Sequence, residues 1–73
     1  MSSYKTRAII IKRRNQGEAD RVLTLFSFDK GLISSIAKGA RKQKSKFGGN
    51  LELFNECELI LSQGKTFEII TEV

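Results

Sequence analysis

An all-β fold, closed as a small antiparallel barrel, is what this 73-residue chain predicts. Three observations carry the prediction. Apolar residues recur at alternate positions, or in short β-branched runs, in five separate stretches. Glycine-bearing polar segments punctuate those stretches, as turns do between strands. No stretch carries an apolar face at helical spacing, and the chain has no proline to break or kink a strand.

The first predicted strand covers residues 4 to 14. Its Ala8-Ile9-Ile10-Ile11 run is apolar on both faces, which predicts cover on both sides at its centre. Lys12, Arg13 and Arg14 mark where it leaves the core. Asn15-Gln16-Gly17-Glu18 is the turn, and residues 20 to 28 are the second strand. There Leu23 and Leu25 share one face, and Val22, Thr24, Phe26 and Phe28 share the other. Asp29-Lys30-Gly31 predicts a tight hairpin with Gly31 in the left-handed conformation. Residues 32 to 37 form the third strand, with two serines at semi-exposed positions between Leu32, Ile33, Ile36 and Ala37. Gly39 marks a bulge or the strand end.

After a basic loop, the alternation is clearest over residues 51 to 61. Leu51, Leu53, Cys57, Leu59 and Leu61 face one way, and Glu52, Glu56 and Glu58 face the other with Phe54 and Ile60. Ser62-Gln63-Gly64-Lys65 is a turn, and residues 66 to 73 are the fifth strand. Three neighbouring strands, a longer link at 39–50 and a closing hairpin suit a five-stranded antiparallel Greek-key barrel of the OB type, ahead of an SH3-like barrel. A single domain spanning residues 1–73 is expected.

Composition excludes several function classes. One cysteine permits no internal disulfide, and without histidine there is no zinc-type ligand set, so no metal or other cofactor is expected. No His stands by to activate Cys57, which shares a face with Leu59 and Leu61 and suits a buried small hydrophobe. Glu52, Glu56 and Glu58 lie on an open strand face rather than in a cleft, so they do not suggest acid–base catalysis. An enzyme is not expected. The start lacks an apolar signal-peptide core, and the longest strictly apolar run is Ala8 to Ile11. A soluble, cytoplasmic protein without membrane contact is the expectation.

The charge of +5 is unevenly spread. Residues 1–49 hold 12 of the 13 basic side chains against Glu18, Asp20 and Asp29, a balance of +9. Residues 50–73 carry −4. The cations concentrate between Lys38 and Gly49, where Lys38, Arg41, Lys42, Lys44 and Lys46 stand without an acid and Phe47 ends the run. Such a segment suits phosphate contact with a nucleic acid, while the plain alternative is a solvated loop. Arg13, Arg14 and Arg21 extend the cationic track or simply solvate strand ends, with Arg21 paired to Glu18 or Asp20. Phe47 stacks on a base or caps the core beneath the loop. Phe54 and Ile60, apolar on the acidic face, are candidates for docking a partner or further domains. The other aromatics are expected in the core or partly exposed in the sheet.

Gly17-Glu18-Ala19-Asp20-Arg21, then Asp29-Lys30-Gly31, then Ala37-Lys38-Gly39-Ala40-Arg41-Lys42-Gln43-Lys44-Ser45, then Gly49-Asn50-Leu51-Glu52-Leu53-Phe54 form an ordered set. The set resembles the amino-terminal domain of the bacterial RecO DNA repair family over nearly the whole chain. The prolines frequent near positions 43 and 53 in that family are absent here. The resemblance implies an OB fold at the amino-terminal end of a longer protein. It also implies binding of single- and double-stranded DNA, promotion of strand annealing, and work with RecR and single-stranded DNA-binding protein in recombination. Two other functions fit the residues: a docking barrel for RecR or an intramolecular partner with incidental DNA contact, and an RNA-binding barrel of translation-factor type.

Overall fold

The computed structural model describes residues 3–73, which form five strands: β1 (Ser3–Gln16), β2 (Asp20–Ser27), β3 (Gly31–Ala37), β4 (Glu56–Ser62) and β5 (Glu68–Glu72). They close into a barrel in the order β1-β2-β3-β5-β4, with β4 returning to β1. All pairings are antiparallel except β3 with β5, where Ser35 faces Glu68 and Ile36 faces Ile69. The expected all-β, five-stranded OB barrel is therefore the observed one.

β1 holds the barrel together because it is long enough to serve two partners. Residues 3–9 pair with β4 and residues 8–16 pair with β2. A bulge between Ile10 and Lys12 leaves Ile11 without a partner and lets the strand bend from one neighbour to the other. The bend also settles the Ala8–Ile11 run. Ala8 and Ile10 are fully buried, whereas Ile9 and Ile11 are only half-buried, so cover is complete on one face alone. The expectation of cover on both sides is corrected.

The core is the inside of the barrel, where Leu23, Leu25, Ile33, Leu59, Leu61 and Ile70 meet Ala8 and Ile10. Ser35 lies among them, fully buried, and its hydroxyl donates to the Leu23 carbonyl at 3.0 Å. That bond is what admits a hydroxyl where a semi-exposed serine was expected. Gly31 adopts φ +71° at the β2–β3 hairpin, as its position predicts.

Two strand starts differ from the sequence expectation. β4 begins at Glu56 rather than Leu51, because residues 50–55 are folded as turns. Leu51 is nonetheless buried, plugging the barrel from a bend. Phe54 breaks the extended run with φ +67°, and its amide donates to the Ile10 carbonyl at 2.6 Å, while Ile10 donates to the Asn55 carbonyl. β5 begins at Glu68 because the preceding turn is tight. A Cβ at Gly64 would lie 2.1 Å from the Phe67 carbonyl oxygen, which only glycine tolerates.

Candidate nucleic-acid interface

The basic segment is neither helix nor open coil. It winds through successive turns closed by amide bonds from Lys42 to the Gly39 carbonyl (3.0 Å) and from Ser45 to the Lys42 carbonyl (3.1 Å). Phe47 pins its far end. The ring is 2% exposed and belongs to the core, with Lys46 Nζ 5.3 Å from its centroid. Of the two readings of Phe47, the core cap is the one observed, and base stacking by this ring is corrected. Glycine neighbours signalled exposure, but a 73-residue barrel has an open end to plug, and Phe47 and Leu51 plug it.

Arg41 pins the near end. Its amide donates to the Ala19 carbonyl at 2.8 Å, its Nη2 to the Gly17 carbonyl at 2.6 Å, and its Nε to the Asp20 carbonyl at 3.3 Å. The Asp20 carboxylate in turn accepts the Gly39 amide at 2.7 Å. The guanidinium is thus half-buried and engaged with the β1–β2 turn, so its first role is a clamp rather than the phosphate contact expected of it. The clamp lays the basic loop against that hairpin, which joins two cationic stretches distant in sequence.

Lys38, Lys42, Lys44 and Lys46 remain exposed on the loop. Among the described residues the ion pairs are Arg7 with Glu56 at 2.5 Å and Arg13 with Glu52 at 3.0 Å, so no carboxylate neutralises the four lysines. On the hairpin, Arg14 is exposed and donates to the Gln16 side chain at 2.7 Å. Arg21 is half-buried, and its Nε is shielded from solvent without a hydrogen-bond partner, so the expected pairing with Glu18 or Asp20 is not formed. Arg13 and Arg14 stand with Lys12 at the rim of a groove of about 510 Å³, whose apolar lining comes from Ile11, Val22 and Leu53. Sequence reasoning had no signal for that groove, since Leu53 reaches it from a turn.

The two apolar docking candidates do not form one surface. Phe54 is 73% exposed beside Ile10 of β1, whereas Ile60 is half-buried opposite Lys5. Those points are five residues apart along β1, about 17 Å of strand at the usual rise. The turn at Phe54 causes the separation, because it takes that residue off the β4 alternation.

Cys57 is half-buried against the core, and burial first, the Glu56 carboxylate second, push its thiol above the ordinary value. A thiol so placed is poorly nucleophilic at neutral pH. Among the described residues no group of carboxylates and Cys57 is arranged to hold a metal ion.

A family model described as recombination protein O N terminal matches residues 1–73. A curated DNA repair protein RecO from Dehalococcoides mccartyi is 50% identical over 68 residues, which cover 93% of this chain and 27% of that relative. The chain therefore spans about a quarter of the length of the relative it matches.

Proposed function

The chain belongs to the RecO amino-terminal family, and from that premise we propose that it serves DNA repair by binding single- and double-stranded DNA with little sequence preference and by supporting strand annealing. The observation that carries the reading is the exposed set Lys38, Lys42, Lys44 and Lys46, free of acidic partners and held beside the β1–β2 hairpin by Arg41. Lysine ammonium groups on a turn-rich loop suit phosphates, which are the same in every sequence, so affinity follows charge rather than base identity. Arg14 and the rim of the groove continue the track.

Annealing follows from the same electrostatics. Two complementary strands repel through their phosphates, and a cationic surface that neutralises part of that charge lowers the cost of bringing them together. RecR and single-stranded DNA-binding protein are the partners proposed on family grounds.

The test is a fluorescence-anisotropy titration with single-stranded and duplex oligonucleotides over a salt series. If all four lysines displace counterions, the logarithm of affinity falls against that of salt with a slope of roughly −3 for single strands and −4 for duplex. Absence of binding to either form at low salt overturns the proposal.

A further inference from the structure

The outer face of β1, β2 and β3 carries aromatic side chains that the core does not use. In β2, Leu23, Leu25 and Ser27 point inward, so Thr24 and Phe26 point out. In β3, Ile33, Ser35 and Ala37 point inward, so Leu32 points out. Phe26 is 49% exposed, Phe28 58% and Leu32 67%. The register sets Phe26 between Ile9 of β1 and Leu32 of β3, and the Phe28 amide donates to the Arg7 carbonyl at 3.0 Å. The Arg7 guanidinium lies 5.7 Å from the Phe28 centroid and is itself held by Glu56. Two open rings therefore stand two residues apart, Phe26 in β2 and Phe28 at the start of the turn that follows it, and the Arg7 cation lies against the second.

Following the same face along the strands leads to the cations. Lys12 is paired with Thr24 and Arg14 with Val22, and both basic side chains rim the groove. The one acid at an outward position of β2 is Asp20, at its start, where its carboxylate is engaged by the Gly39 amide; β3 has none. Asp29, at the adjoining turn, faces the hydroxyls of Thr6 and Ser27. An apolar protein surface needs no such charge gradient, whereas a chain of phosphates bearing flat bases matches both ends of it.

Access to the base face selects the kind of strand. A ring takes up a base only through an open face, and in B-DNA each base is closed by its neighbour about 3.4 Å along the strand. Bases seated on Phe26 and Phe28 must be unstacked from their neighbours, which a single strand permits and a duplex does not.

We propose that Phe26 and Phe28 form a stacking platform for two successive bases of a single strand, with Lys12 and Arg14 taking phosphates further along the same face. The inference rests on the DNA-binding reading above and assigns it a single-strand subsite separate from the lysine loop.

The test uses the leucine variants Phe26→Leu and Phe28→Leu, which keep apolar bulk and lose the π face, together with Phe28→Trp. The chain has no other tryptophan. Each leucine variant is expected to lose roughly tenfold or more in affinity for a single-stranded oligonucleotide, the usual consequence of removing a stacking ring. Duplex affinity should stay within twofold of wild type. Phe28→Trp should keep single-strand affinity, and its fluorescence should be quenched by the single strand and not by the duplex. Leucine variants that bind the single strand as wild type does, or a tryptophan that the single strand leaves unquenched, overturn the platform and hand this face to a protein contact while DNA binding through the lysines stands. Failure of the wild-type chain to bind either oligonucleotide overturns the underlying reading, and the platform with it.

Discussion

The Arg41 Nη2 donates to the Gly17 carbonyl across 2.6 Å of space and 24 residues of sequence. This bond, with those from the Arg41 amide and Nε to Ala19 and Asp20, makes the β1–β2 turn and the basic loop one unit. Arg41→Ala is expected to lower stability by about 1–2 kcal/mol, the scale of charge-assisted hydrogen bonds lost at a half-buried site. Arg41→Lys restores the charge but not the planar fork, so it should recover little of that loss. Urea unfolding of both variants checks the point. Full recovery by lysine would mean that charge alone, rather than the clamp, is what Arg41 supplies.

Lys42 and Lys44 are exposed and unpaired, so replacing them tests binding with little effect on the fold. Lys42→Glu with Lys44→Glu removes two cations and adds two anions. Duplex affinity at low salt is expected to fall at least tenfold, and the salt slope to shrink by about two. Thermal stability should change by about 0.5 kcal/mol or less, as surface substitutions do. Unchanged affinity in the double variant would remove the loop from the interface.

Phe47 separates packing from stacking. Its ring is in the core, so Phe47→Ala is expected to cost about 3–5 kcal/mol, a large share of the whole stability of a domain this size. Phe47→Leu keeps most of the volume and should cost far less. The decisive comparison is DNA affinity measured on folded protein. The leucine variant should bind single strands as well as wild type, in contrast to the leucine variants at Phe26 and Phe28. A tenfold loss at Phe47→Leu with an unchanged circular dichroism spectrum would return this ring to the interface.

The succession of five strands was legible in the sequence because it follows from local signals, whereas the parallel pairing of β3 with β5 is non-local and was not. Leu23 and Leu25 alternate with outward residues, Gly31 sits where the hairpin needs positive φ, and the longest link falls between the third and fourth strands. The start of β4 was not legible, since the Leu51–Leu53 alternation runs on into a turn whose break is a phenylalanine at φ +67°, a residue with no preference for that conformation. At the site, the exposed lysines were legible from charge alone. The role of Arg41 was not, because it depends on which two loops meet. The same holds for Phe26 and Phe28: their shared face was readable, but the side of the barrel wall it belongs to was not.

Acid should loosen the barrel at the β2–β3 turn. The Asp29 carboxylate accepts the Ser27 hydroxyl at 2.7 Å and the Thr6 hydroxyl at 2.8 Å, and these bonds, Ser27 first, hold it below its ordinary value of 3.8. Ser27 also accepts the Lys30 amide at 3.0 Å, so the cluster ties the turn to β1. A carboxyl whose folded value is depressed contributes stability that is present above the unfolded value and is lost as pH falls through the folded one. The contribution therefore disappears on acidification below about pH 4, the unfolded carboxylate range. Asp29→Asn keeps an oxygen to accept the hydroxyls but never ionises. Its melting temperature should lie below that of wild type at pH 7, and the two should converge as pH falls to about 2.5. A gap that stays constant over that range would mean the carboxylate charge contributes nothing, and that the turn is held by hydroxyl and backbone bonds alone.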